Sequence, residues 1–171
     1  MINKSRVKNI LIESEFNTNE YSRKIDFQTL KHIDINLQNY KHKNNLVDYT
    51  DMINRFRKEH EKSKTFDVIF IDEAQDLSPV QWEMFDILKT KTKDIFLAGD
   101  DDQAIFAWAG ADVDRFINEP AENEFLNQSR RVPEAVQEIA NEWISRIPKN
   151  KRIDKKWDPR RDKNKIIVKG H

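Results

Sequence analysis

The 171 residues carry 30 lysines and arginines against 30 acidic residues, with 37% apolar and 35% charged side chains and a mean hydropathy of -0.85. A chain of this length can bury roughly 70% of its extended surface, but so charged a composition confines the core to a few apolar stretches. The lack of cysteine excludes disulfides and thiolate metal sites, and no apolar run approaches the ~20 residues of a membrane span.

No apolar stretch of the secretory kind follows Met1 to Arg6, so the expectation is a soluble, cytoplasmic protein. His32, His42, His60 and His171 show no ligand spacing and read as solvent-exposed. The zero net charge conceals two unlike stretches. Residues 66–127 hold 15 acids and 4 bases, a net of −11, and residues 146–169 hold 11 bases and 3 acids, a net of +8. That asymmetry suits a metal or phosphate site near a polyanion-binding face, and it suits a solvated surface equally well.

Residues 1–65 are polar and mostly helical in character. The most persuasive helix runs from Tyr49 to Glu61, where Met52, Ile53 and Phe56 share a face. The rest of this segment is expected to be irregular unless it finds a partner to pack on. At Phe66 the character changes. Val68-Ile69-Phe70-Ile71 is a short apolar run ending in acids, as expected of a strand buried on both faces. Ser78, Pro79 and Gln81 then mark a helix start with a capping box, followed by Trp82, Phe85 and Leu88 at helical spacing. A lysine-rich turn from Lys89 to Lys93 leads to a second apolar run, Ile95-Phe96-Leu97-Ala98, which ends at Gly99-Asp100.

Strand, helix, strand with acids at both strand ends predicts a parallel βαβ unit. Ligands of such sheets bind beyond the carboxyl ends of the strands, where both acidic clusters would lie. A third short run, Phe125-Leu126, precedes Ser129-Arg130-Arg131. An amphipathic helix follows, with Val136, Ile139, Ala140, Trp143, Ile144 and Ile147 on one face. The tail from Pro148 is basic and contains a last candidate strand, Ile166-Ile167-Val168.

Four segments could carry chemistry. In Asp72-Glu73-Ala74-Gln75-Asp76, two carboxylates follow a strand end: one can hold Mg²⁺ and the other can deprotonate an attacking water. An acidic loop before a helix is the plainer alternative. Gly99-Asp100-Asp101-Asp102-Gln103 ends the neighbouring run, so a parallel sheet would bring it beside Glu73. Alone it is an ordinary turn sequence. In Phe106-Ala107-Trp108-Ala109-Gly110-Ala111, two aromatics separated by a small residue suit base stacking, although without the neighbouring motifs both read better as core. In Leu126 to Pro133, an arginine just before a helix can grip a phosphate, or can simply lie at the surface.

Taken together and in this order, the four segments resemble the UvrD/Rep-like superfamily 1 helicases. The likeness covers residues 66–147, extends loosely over 45–65 through Asp48-Tyr49-Thr50-Asp51-Met52, and is not legible before that. It implies a partial RecA-like (P-loop NTPase type) α/β fold: a parallel sheet with flanking helices, preceded by a mostly helical segment. The implied organisation is a polar helical segment over 1–65, the end of a first RecA-like domain over 66–120, and the start of a second with a basic tail over 121–171. The resemblance makes Asp72 the Mg²⁺ ligand and Glu73 the catalytic base. Gln103 and Arg131 become the contacts to the ATP γ-phosphate, and Phe106 and Trp108 the contacts to bases of single-stranded DNA.

The pattern also departs from the family. The three glycines, Gly99, Gly110 and Gly170, cannot form the G-x-x-x-x-G-K-[ST] loop that cradles phosphates. Ala109 stands where the family usually has an arginine and Arg130 where it has a tyrosine, and the family's last motifs are not among the 171 residues. The expectation is therefore a piece of an ATP-dependent DNA helicase, acting for instance in DNA repair. It would be inactive alone and would rely on a second polypeptide for the missing loop. The alternatives are a degenerate, non-catalytic module that binds single-stranded nucleic acid, and an unfolded remnant.

Overall fold

A computed structural model of the chain describes residues 1–160, so the candidate strand at Ile166-Ile167-Val168 lies outside the described residues. The described residues form two units, one of residues 1–100 with 104–113 and the other of 101–103 with 114–160.

The first unit opens with four helices, α1 (Ile2–Val7), α2 (Ile12–Thr18), α3 (Phe27–Lys43) and α4 (Tyr49–Glu59). The amino-terminal segment is therefore far more regular than its apolar pattern suggests, because polar caps and ion pairs define the helices. Asp26 starts α3 by accepting hydrogen bonds from the Thr29 amide (3.0 Å) and hydroxyl (2.6 Å). Lys41, His42 and Lys43 complement its carboxyl-terminal dipole. Only Leu30 of α3 is buried, which explains the faint hydrophobic signal.

Helix α4 begins at Asp48 with a reciprocal cap. The Asp51 amide donates to Asp48 (2.9 Å), and the Asp48 amide donates to Asp51 (3.0 Å). Arg6 of α1 and Lys41 of α3 both reach this pair of carboxylates, so one charge cluster joins three helices. The Arg6 hydrogen bond, opposed by burial and aided by Lys41, holds the Asp48 carboxyl well below the usual range. A second polar knot lies at Glu15, only 1% exposed, which accepts from Lys8 (3.0 Å) and Asn19 (2.8 Å).

Among the described residues the sheet has two strands, β1 (Phe66–Ile71) and β2 (Thr92–Leu97), parallel and joined by α5 (Pro79–Lys89) as the alternation of elements predicts. Pro79 occupies the first turn of α5, and the Gln81 side chain accepts from the Ser78 amide (2.9 Å). Trp82 and Phe85 are the largest side chains of the core, meeting edge to face at 5.2 Å, with Val80 and Ala74 buried nearby in sequence. Helix α5 packs against α4, α1 and β2.

One expectation fails here. The strands are not buried on both faces. Ile69, Ile71, Ile95 and Leu97 are half-buried and alternate with the exposed Phe66, Val68, Phe70 and Phe96. A strand reverses its side chains at every residue, and no described element of this unit covers the second face. Phe70, 76% exposed, stacks on Phe96 across the strands at 5.1 Å.

The second unit contains most of α6 (Val113–Asn118) and all of α7 (Glu134–Ile144). The apolar face of α7 exists, but Val136, Ile139 and Trp143 are exposed. Phe125 and Leu126 form no strand. The only regular pairing in this unit among the described residues is a bridge between Gln128 and Asp158. Much of the described basic tail is engaged internally: Lys151 pairs with Asp114, Arg152 grips Asp102 through two hydrogen bonds (2.8 and 2.9 Å), and Lys155 pairs with Asp101.

The cluster around Asp48 makes stability acid-sensitive. A carboxyl held low in the folded state contributes above its unfolded pKa, near 4, and loses that contribution as pH falls through the folded value. Asp48→Ala is therefore expected to cost about 1–2 kcal/mol at pH 7, chiefly through the lost helix cap. In urea melts of variant and parent, the gap should narrow as pH drops below about 4.

Candidate functional site

The parallel register pairs Ile71 with Leu97, so both strands end at the same edge of the sheet. Pairing continues one step beyond the strands: the Ala98 amide donates to the Ile71 carbonyl (2.8 Å), and the Ala74 amide donates to the Ala98 carbonyl (2.9 Å). The Asp72–Asp76 turn is thereby fastened to the end of β2.

Asp72 and Glu73 are exposed at this edge. The Asp72 carboxylate accepts from the Glu73 amide (2.9 Å). Glu73 has φ 53° and ψ 41°, a left-handed conformation that a residue with a β-carbon adopts at a cost of about 1–3 kcal/mol. Ala74 and Gln75, both essentially inaccessible to solvent, follow in a tight turn. Gln75 is the residue whose place the sequence did not disclose. Its Nε2 donates to the Glu73 carboxylate (2.8 Å), and its Oε1 accepts from the Asp100 amide (3.0 Å). Polar character in a turn gives no sign of burial, so only the fold identifies it.

Burial, reinforced by the negative charge of Glu73 and offset in part by Gln75, raises the Asp76 carboxyl above the usual range. Its Oδ1 is buried without a hydrogen-bond partner.

The expected juxtaposition is met in part. Asp72, Glu73, Gln75 and Asp100 come together within the first unit. Gln103 belongs to the second unit, in the short turn Asp101–Gln103, whose Asp101 is buried and also accepts from the Ile153 amide (2.7 Å). Arg131 lies in the second unit as well. It is exposed, and its backbone amide is held by the Ser129 hydroxyl (3.3 Å).

Phe106 and Trp108 are not core residues. They are 43% and 72% exposed, with ring centroids 6.5 Å apart and planes tilted by 47°. The turn that carries them closes on Gly110, where φ is 111° and an added β-carbon would come within 3.0 Å of the Val7 side chain. The glycine there serves both the backbone conformation and the close approach.

Among the described residues, no group of three or more acidic or histidine side chains is placed to hold a metal ion. The exposed Asp72 carboxylate nonetheless fits Mg²⁺, an oxygen-seeking cation that is commonly bound through one or two carboxylates together with substrate phosphates. No helix among the described residues is long and apolar enough to cross a membrane.

With a twin acidic edge and an exposed aromatic pair in place, comparison with known families is decisive. The model of the UvrD/REP helicase N-terminal domain matches residues 2–125. The chain belongs to the UvrD/REP helicase family. The match extends the likeness over residues 2–65, where sequence motifs alone revealed little or nothing because those helices carry caps and ion pairs rather than reactive groups. It stops at residue 125, short of the arginine segment.

Among curated relatives, this UvrD/REP chain is 35% identical over 112 residues to a probable DNA helicase II homolog of Mycoplasma genitalium, covering 61% of the chain and 15% of that protein. It is 32% identical over 112 residues to DNA helicase II of Haemophilus influenzae, covering 58% of the chain and 15% of the relative. It is 31% identical over 116 residues to the ATP-dependent DNA helicase PcrA of Staphylococcus aureus, covering 60% of the chain and 16% of the relative. The chain thus spans about a sixth or less of the length of these relatives.

The raised Asp76 carboxyl gives a test of the site's electrostatics. A carboxyl held high favours the folded state while protonated, and that advantage is lost as pH rises from the unfolded pKa through the folded one. At pH 7 the ionised group is a burden. Asp76→Asn is expected to raise the melting temperature at pH 7 and to leave it unchanged near pH 3, as followed by circular dichroism.

Proposed function

We propose that this chain is a segment of an ATP-dependent DNA helicase or translocase that couples ATP hydrolysis to movement on single-stranded DNA in the cytoplasm, for instance during DNA repair. Residues 66–120 would end a first RecA-like domain, and residues 121–171 would begin a second. The observation that carries the reading is the shared sheet edge, where the Asp72-Glu73 pair is tied to Asp100 through Gln75.

In this reading Glu73 accepts the proton of the attacking water, a role for which its exposed carboxylate at a rigid strand end is suited. Asp72 would hold Mg²⁺, whose charge offsets that of the triphosphate. Gln103 and Arg131 would contact the γ-phosphate, with Arg131 stabilising charge that builds up during transfer. Phe106 and Trp108, exposed as a tilted pair, would stack on bases of single-stranded DNA.

The 171 residues contain no G-x-x-x-x-G-K-[ST] loop, so ATP would need a phosphate cradle from a second polypeptide or from another part of a longer one. The isolated chain is expected to release no phosphate from Mg·ATP in the presence of single-stranded DNA. Mixing with a polypeptide that bears the loop should give turnover, which Glu73→Gln lowers by about 10²–10⁴-fold. Robust turnover by the 171 residues alone defeats this account.

The exposure of Phe106 and Trp108 also supports a second reading, a degenerate module that binds single-stranded nucleic acid without catalysis. Both readings expect Trp108→Ala to weaken binding of a fluorescent oligonucleotide by about 5- to 150-fold, equivalent to ~1–3 kcal/mol of stacking. Binding should also fall steeply with salt. The two part at Mg²⁺ and Glu73: the module binds the same with Glu73→Gln, whereas the helicase segment loses turnover in the mixed assay.

A further inference from the structure

Gln75 is 1% exposed, and the two ends of its amide join Glu73, at the start of its own turn, to Asp100 just past the end of the neighbouring strand. Nε2 donates to Glu73 Oε2 at 2.8 Å, and Oε1 accepts from the Asp100 backbone amide at 3.0 Å. The orientation of the amide is fixed by chemistry. A carboxylate can only accept and a backbone amide can only donate, so turning the amide over would set oxygen against oxygen and N–H against N–H. Between these two partners, only a side chain carrying a donor and an acceptor on one short, rigid head serves.

We infer that Gln75 is a positioning residue: it holds the carboxylate of Glu73 and reports to it the position of the Gly99-Asp100 backbone. The inference rests on the reading of Glu73 as the catalytic base. Glu73 is otherwise exposed, on a left-handed backbone, and an unrestrained glutamate there would sample several rotamers. The Gln75 amide restrains it. The same amide is anchored at its other end to the segment that runs from Asp100 toward Gln103. A displacement of that backbone would therefore pull on the group that takes the proton. One buried amide thus joins the Glu73 carboxylate to the Asp100 backbone amide, so replacing Glu73 should be felt at the Asp100 amide.

The experiment is nuclear magnetic resonance of the full chain at one fixed pH, following the Asp100 amide. The Glu73-dependent response is defined as the change in the Asp100 amide shift that Glu73→Gln causes in the parent chain. In a Gln75→Leu background, Glu73→Gln is expected to cause no such change. Gln75→Glu keeps the shape and the acceptor but not the donor. It should sever the link to Glu73 while leaving the Asp100 amide as protected from hydrogen exchange as in the parent.

A Glu73-dependent response that persists in Gln75→Leu overturns the proposal. Its absence from the parent chain also overturns it, an outcome that needs no variant of Gln75 to fold. In the mixed ATPase assay, Gln75→Leu should lower kcat about tenfold or more without changing KM for ATP, as expected for lost positioning of a base. Failure of the underlying reading would show separately, as turnover indifferent to Glu73→Gln while the link between Glu73 and the Asp100 amide stands.

Discussion

Parallel pairing of β1 with β2 is the constraint on which the rest of this molecule depends. Because Ile71 lies opposite Leu97 and both strands run the same way, the residues that follow each strand emerge side by side. An antiparallel pair would have sent the two acidic segments to opposite ends of the sheet. The α5 crossover makes the parallel arrangement possible, and the burial of Trp82 and Phe85 on that helix stabilises the crossover. The two backbone bonds that Ala98 makes to Ile71 and Ala74 then carry the pairing past the strands and into the turn that holds Glu73. Site geometry here is a direct extension of sheet geometry.

How much of this was legible beforehand differs by residue type. The strand-helix-strand unit was readable because its apolar runs are short and bounded, and because Ser78, Pro79 and Gln81 spell a helix start. The edge position of Asp72 and Glu73 followed from the same pattern. Exposure of the strands did not, since Phe66, Val68, Phe70 and Phe96 are as apolar as core residues and nothing in the sequence tells a covered face from an open one. Helices α1 to α3 were only faintly readable, because they bury few apolar side chains: Asp26 caps α3 locally through Thr29, and Arg6 reaches Asp48 and Asp51 from more than 40 residues away. Gln75 was visible as a letter of a motif but not as a buried bridge.

Charge has a different meaning in the structure than in the sequence. The basic tail reads as a face for polyanions, yet Lys151, Arg152 and Lys155 are paired with Asp114, Asp102 and Asp101. Opposite stretches of the chain thus neutralise one another locally, and the net of +8 over residues 146–169 overstates the field available to a nucleic acid. The aromatic pair, by contrast, gained weight. Sequence alone left Phe106 and Trp108 divided between core and surface, and their exposure resolves that choice.

A sheet of two strands has two outer edges, each with a row of backbone N–H and C=O groups that no third strand among the described residues meets. Beside them lies an aromatic and aliphatic face open to water. That combination is the ordinary template for strand addition and for aggregation. For anyone purifying the 171 residues, the practical consequence is colloidal. Yield and monodispersity will be governed by protein concentration and by whatever solute or fusion shields Phe70 and Phe96, well before any question of chemistry at Glu73 arises.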